Sequence, residues 1–261
     1  MNGLFDLTGA RAIVTGSSRG IGLAIATRMA EAGARVTISS RKAEACEAAA
    51  EAINRALGHK QAVALPANIS DRASLERLVD GANSAWGGVD ILVCNAATNP
   101  YFGPMAGISD EQFRKVFDNN VLANHWLVSM VAPQMRARRD GSILIVSSIG
   151  GLAGSATIGA YNVSKAADMQ LARNLAVEFG RDNVRVNCIA PGLIKTDFSR
   201  ALWSDPRVRG GYEERTPLAR MGEPDEIAGT AVFLASRAGA FVTGQTIVVD
   251  GGVTIAGITG A

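Results

Sequence analysis

Short apolar runs of strand length alternate with helical patterns from one end of the chain to the other. Ala12-Ile13-Val14 predicts a first strand, and Ile21 to Glu31 predicts the amphipathic helix after it, ending at Gly33. Val36-Thr37-Ile38 is the second strand, followed by an Ala/Glu-rich helix from Ala43 to Leu57 with Gly58 as its stop signal. Val63 to Leu65 is the third strand, and Ser70-Asp71 caps a helix that runs to Trp86. Ile91-Leu92-Val93, a long helix from Asp110 to Met135, and the strand Ile143 to Val146 repeat the unit. A helix through Ala160–Phe179, a strand from Val184 to Ile189, a helix near Pro224–Ala235 and the strand Ile247-Val248-Val249 complete the series.

Strands separated by helices pair in parallel, because parallel neighbours need crossover connections. Continuously apolar strands are those covered on both faces. The expectation is therefore an α/β chain with one doubly wound, seven-stranded parallel sheet flanked by helices, a single domain over 1–261. Ligands of such sheets sit outside the carboxyl ends of the strands, so chemistry is sought just after each strand. One long interval, about 193–221, breaks the rhythm with an irregular, charged stretch and is expected to be a substrate loop or lid.

After the first strand comes Thr15-Gly16-Ser17-Ser18-Arg19-Gly20-Ile21-Gly22, opening into a helix. Glycines there let the backbone turn sharply and bring its amides to a pyrophosphate at the helix N-terminus. The Gly-Lys-Ser/Thr ending of a nucleoside-triphosphate loop is missing. The second strand ends at Ser39-Ser40-Arg41, without the carboxylate that would grip an NAD ribose. Arg41 and Arg19 favour the 2′-phosphate of NADP(H), with NAD(H) as the alternative.

Composition adds mainly exclusions. The 26 Lys+Arg against 24 Asp+Glu leave a net charge of +2, no footprint for nucleic acid or an anionic membrane. No run of apolar residues is long enough for a membrane span, and Met-Asn-Gly-Leu-Phe-Asp does not read as a secretory signal. Cys46, Cys94 and Cys188 lie far apart, and with only His59 and His125 no zinc set is expected. Reduced, buried thiols in a cytoplasmic protein follow. The 29 glycines sit in short motifs without a repeat, as tight turns do. The cluster Arg136-Ala137-Arg138-Arg139 reads as a solvated helix end complementing the dipole. Trp203 and Tyr212, in the irregular interval, are either substrate contacts or surface anchors.

Tyr161 and Lys165 stand four apart near the start of a predicted helix, on one face. A neighbouring ammonium favours a phenolate, so such a pair can exchange a proton with an alcohol or carbonyl oxygen. Ser148 follows the fifth strand, where its hydroxyl can hold the same oxygen.

Together these residues resemble the short-chain dehydrogenase/reductases over essentially the whole chain. The matching positions are Thr15-Gly16-x-x-x-Gly20-x-Gly22, Asn95-Ala96-Ala97, Asn120, Ser148, Tyr161, Lys165, Pro191-Gly192-Leu193-Ile194-x-Thr196 and Val249-Asp250-Gly251-Gly252. Ser39 to Lys42, Asn95 to Pro100 and Pro191 to Trp203 look most like the NADP-dependent carbonyl/retinol reductase branch. The resemblance implies a Rossmann-type fold and an oxidoreductase that interconverts a ketone or aldehyde and an alcohol by hydride transfer. It makes Tyr161 the general acid/base, Lys165 the ligand of the nicotinamide ribose, Ser148 the orienter of the substrate carbonyl, and Asn120 the holder of a relay water. It assigns the cofactor to Gly16, Ser18, Arg19, Gly20, Ile21, Gly22, Arg41, Asn68, Ile69, Asn95, Ala96, Ala97, Tyr161, Lys165, Pro191, Gly192, Ile194 and Thr196. It also implies a homotetramer with a small-molecule partner and no metal. Two departures stand out: Cys94-Asn95-Ala96-Ala97 replaces the usual Asn-Asn-Ala-Gly, and Asn68 replaces an Asp beside adenine. A 3-oxoacyl reductase of the same family, an NAD-dependent alcohol dehydrogenase and a non-catalytic dinucleotide sensor are the competing readings. The substrate pocket is expected from 99–105, 150–158 and 193–221, with Leu152, Ala153, Ile158, Phe198, Leu202 and Trp203 favouring an apolar or aromatic carbonyl compound.

Overall fold

The computed structural model describes residues 3–256. Its first half runs β1 (Arg11–Thr15), α1 (Gly20–Glu31), β2 (Arg35–Ser39), α2 (Ala43–Leu57), β3 (Ala62–Ala64), α3 (Arg72–Trp86) and β4 (Ile91–Cys94). The second half runs α4 (Asp110–Phe117), α5 (Ala123–Arg138), β5 (Gly141–Val146), α6 (Gly159–Phe179), β6 (Val184–Pro191), α7 (Arg200–Trp203), α8 (Pro206–Arg215), α9 (Pro224–Ala235) and β7 (Thr246–Val249). Local signals set several ends. Gly58 and Gly87 close α2 and α3 in the left-handed region, where a side chain would be strained. Asp71 caps α3 by accepting from the Ala73 amide, and Ser109 with Gln112 forms a capping box on α4.

The seven strands form one sheet in the order β3-β2-β1-β4-β5-β6-β7, every pair parallel. This is the Rossmann-type doubly wound sheet expected from the sequence. Apolar runs that look uniform in the sequence divide between the two faces at alternate residues. Ile13, Leu92, Cys94, Ile143, Ile145, Val186 and Cys188 pack with α3, α5 and α6. Ala12, Val14, Ile91, Val93, Leu144, Val146 and Ile189 pack with α1, α2 and α9 on the other side. Strand order reverses between β1 and β4, which opens a crevice above their carboxyl ends. At the opposite end Arg11 grips Asp90 through two bonds of 2.6 Å, tying β1 to the start of β4.

Two elements differ from the sequence pattern. The helix expected over Asp110 to Met135 is broken at Asp118–Leu122 by one π-helical turn, which contains the buried Asn119 and Asn120. Such a turn carries one extra residue per hydrogen-bonded ring, which hydrophobic periodicity does not reveal. The interval 193–221 is not irregular throughout: it holds α7 and α8. Asp205 accepts from the Arg207 amide at 2.9 Å and Pro206 opens α8, an N-terminal signal that was present in the sequence.

Candidate active site

The glycine turn lies at the carboxyl end of β1. Gly16 and Gly20 have φ of 65° and 58°, the left-handed region that glycine enters without strain. Thr15 organises the approach to β4: its Oγ1 accepts from the Asn95 and Ala96 amides at 3.0 and 3.1 Å. Asn95 Nδ2 in turn donates to the Thr15 and Gly16 carbonyls at 2.9 and 3.2 Å, so Asn95 braces the turn from the neighbouring strand. Arg19 precedes α1, with no side chain capping the helix, so its first amides face the crevice as donors for an anion. An uncapped helix N-terminus behind a glycine turn is chemically suited to a dinucleotide pyrophosphate. Ser18 and Ile21 are half-buried on the same turn, while Arg41 is exposed at the entry to α2 and has no ion-pair partner among the described residues. Arg19 reaches across to Asp197 at 3.3 Å, joining the turn to the 193–221 segment. Thr196 lies over Gly20, where an added Cβ would meet its methyl at 3.4 Å. Asn68 is exposed, its Oδ1 accepting from the Ser70 amide at 3.2 Å, and Ile69 packs on the core. Pro191, Gly192 and Ile194 continue from β6 over the same end of the sheet.

A second group of polar side chains stands above β4 and β5. Ser148 ends the β5 segment and accepts from the Gly150 amide at 3.0 Å, which starts a single helical turn. Tyr161 and Lys165 lie one turn apart on α6, with Lys165 Nζ 5.6 Å from the Tyr161 ring centroid. Lys165 is buried, donating to Val146 O at 2.9 Å and to Asp168 at 3.0 Å. Burial opposes its charge, but the carboxylate of Asp168, aided by the ionised form of Tyr161, outweighs that and holds it above the ordinary lysine range. Asn120 is buried in the π-helical turn. Its Oδ1 accepts from the Thr98 amide at 2.8 Å, and its Nδ2 donates to Thr98 O and Ser164 Oγ at 3.0 Å each. The four residues expected as a catalytic set thus come from three separate segments, the π-helical turn, the end of β5 and α6, all at one end of the sheet.

The walls beside Tyr161 are apolar. The Phe198 ring lies 6.2 Å from the Tyr161 ring, and the Gly103 amide donates to Thr157 O at 2.8 Å, joining the 99–105 and 150–158 segments. Trp203 and Tyr212 anchor the third segment: the Trp203 indole donates to Thr196 O, and the Leu193 amide donates to Tyr212 Oη, both at 2.8 Å. Two polar residues escaped the sequence reading, Asn124 and Asp168, both fully inside the core beneath Lys165. The one signal in the sequence was an Asp three residues past a Lys on the same helix. Cys94 and Cys188 flank them, and burial pushes both thiols up, so they remain neutral packing groups. Among the described residues no cluster of His, Cys, Asp and Glu could hold a metal ion, and no helix is long and apolar enough to cross a membrane.

A doubly wound sheet with a glycine turn at its switch point and a Tyr/Lys pair above β5 defines a dinucleotide-dependent oxidoreductase class. The chain belongs to the short-chain dehydrogenase/reductase family. A family model described as enoyl-(acyl carrier protein) reductase matches residues 16–254. The dehydrogenase/reductase SDR family member 4 of Oryctolagus cuniculus is 45% identical over 242 residues, 92% of each chain. This is the branch expected from the sequence. Among solved structures, a 7α-hydroxysteroid dehydrogenase complexed with NADH and 7-oxo glycochenodeoxycholic acid is similar at a TM-score of 0.91 and 37% identity, over 95% of this chain and 96% of that one. A gluconate 5-dehydrogenase from Burkholderia cenocepacia, in complex with NADP and tartrate, has a TM-score of 0.92 and 34% identity over 97% and 98%.

Proposed function

We propose that this oxidoreductase uses NADP(H) to interconvert an apolar or aromatic ketone or aldehyde and its alcohol. The observation that carries the reading is the buried ammonium of Lys165 beneath the Tyr161 ring, above the strand end that bears Ser148. In reduction Tyr161 gives its phenolic proton to the carbonyl oxygen, and in oxidation it takes the proton back. Ser148 holds that oxygen in place, and the positive charge of Lys165 stabilises the phenolate left behind. Asn120 braces the Thr98 backbone and the Ser164 hydroxyl beside Lys165. The nicotinamide supplies or accepts the hydride when bound.

The turn Gly16, Ser18, Gly20, Ile21 and Gly22 receives the pyrophosphate, and Arg19 and Arg41 the 2′-phosphate. Asn68 and Ile69 border the adenine. Asn95, Ala96 and Ala97 border the ribose, and Pro191, Gly192, Ile194 and Thr196 the nicotinamide. Phe198 beside Tyr161 supports an apolar substrate, and the hydroxysteroid dehydrogenase relative, which holds a bulky oxo compound, agrees with it. In this reading the chain works as one domain with 193–221 as its substrate loop, in a cytoplasmic homotetramer.

Fluorescence titration with NADPH and with NADH tests the cofactor, and Tyr161→Phe tests the chemistry. Tighter NADPH binding is expected, with Tyr161→Phe retaining that affinity and losing turnover by about 10²–10⁴-fold. Preferential NADH binding overturns the roles of Arg19 and Arg41. Undiminished turnover in Tyr161→Phe overturns the mechanism.

A further inference from the structure

One buried carboxylate has no part in that chemistry. Asp168 lies on α6 with no exposed surface, among the core residues Cys94, Cys188, Met169 and Ala172. A charge in such a place is costly unless every oxygen is partnered, and here both are. Oδ2 accepts from Lys165 Nζ at 3.0 Å, and Oδ1 accepts from Asn124 Nδ2 at 3.0 Å. Asn124 Nδ2 also donates to the Asn120 main-chain oxygen at 2.6 Å. The carboxylate therefore connects two residues of the proposed site, Lys165 and Asn120, from a position behind both. Hydrophobic packing alone calls for no carboxylate at this place; the two buried donors it accepts from do.

We propose that Asp168 is the counter-ion and positioning residue of Lys165: its carboxylate keeps the buried ammonium charged and aimed at Val146 O, while Asn124 ties the pair to the Asn120 backbone. The catalytic half of this inference rests on the proposed role of Lys165; the counter-ion half does not. The titratable groups facing the pair are Tyr161 on α6, Cys94 at the end of β4 and Cys188 on β6, with Arg173 of α6 farther along; α5 presents Asn124. Both thiols are pushed up by burial and carry no charge near neutral pH. Asp168 thus supplies the carboxylate charge that faces Lys165.

The consequence has a definite sign. In the natural protein Lys165 sits above its unfolded value, so its contribution to stability is full below the ordinary lysine range and is lost only as pH rises past it. Asp168→Asn removes the largest charge that offsets burial, and burial then drives the lysine below its unfolded value of about 10.4. Stability is then lost as pH falls, from about pH 10 towards about pH 7. The double variant Lys165→Met/Asp168→Asn lacks the titrating group.

Thermal melts of Asp168→Asn and of the double variant, across that pH range, test the counter-ion role. The double variant is expected to melt above Asp168→Asn near pH 7, with the gap closing towards pH 10. A gap that does not change with pH overturns the proposal. Should Asp168→Asn fold at no pH, folding of the double variant supports the proposal. Failure of both to fold overturns it, since Asp168 would then serve packing irrespective of Lys165. In the assay, Asp168→Asn is expected to move the alkaline limb of kcat/KM to lower pH; lower activity on an unmoved profile refutes the positioning role. A natural protein that binds no dinucleotide would sink the oxidoreductase mechanism, and the melts would still decide the role of Asp168.

Discussion

Gly22 is the point where the fold and the cofactor turn depend on the same missing atom. A Cβ there would lie 2.4 Å from Gly16 O, 2.5 Å from Asn95 Nδ2 and 2.8 Å from Gly16 C. Two of these are backbone atoms of the turn itself and the third is the amide that braces it. Gly22→Ala must therefore push α1 away from β1 or displace Asn95 from the Thr15 and Gly16 carbonyls. Overpacking of this kind costs about 1–3 kcal/mol, and losing an Asn95 hydrogen bond adds about 1 kcal/mol. A total of about 3 kcal/mol lowers the melting temperature by roughly 6–12 °C in a chain of this size. Gly20→Ala is the control. Its φ of 58° carries the left-handed penalty of about 1–2 kcal/mol, but its nearest neighbour is a Thr196 methyl at an ordinary 3.4 Å. Gly22→Ala should melt below Gly20→Ala and bind NADPH more weakly than the natural protein, read by calorimetry and by fluorescence titration. If Gly22→Ala melts at or above Gly20→Ala, the account of the turn is wrong.

Two further expectations concern charge. Arg41→Ala removes a hydrogen bond to a phosphate worth about 1.5–3 kcal/mol, so NADPH affinity should fall by about 10- to 150-fold, and further when Arg19→Ala is added, while NADH affinity stays level; equal losses for both cofactors would refute a 2′-phosphate role. Glu226, gripped by Arg220 through two bonds of 2.7 and 2.6 Å and receiving the Glu223 amide, is held down at about 2. Its contribution to stability is present above the ordinary Glu range and lost as pH falls towards about 2. Glu226→Gln should therefore melt below the natural protein near neutral pH, with the gap vanishing in acid. A gap that persists there would assign the effect to α9 capping.

The sequence by itself determined the alternation of strand and helix, hence a parallel sheet, and the place of the chemistry just after its strands. Those features are local: short apolar runs, glycine stops, the Ser70-Asp71 cap and a glycine turn each act within a few residues. It also placed Tyr161 and Lys165 on one face, because helical spacing is a local rule too. Which alternate residues of a wholly apolar strand face which helical layer was not legible, since both layers accept the same side chains. The π-helical turn at Asn120 was equally hidden, because the bonds that accommodate it come from Thr98 and Ser164, distant in sequence. Arg19 reached Asp197, and Asn95 reached the glycine turn, only after β1, β4 and the β6 end were brought side by side. Asp168 is the extreme case. In the sequence it is one of several polar residues on α6 with nothing to set it apart, and only the tertiary structure, by burying it against Lys165 and Asn124, gives its charge a partner.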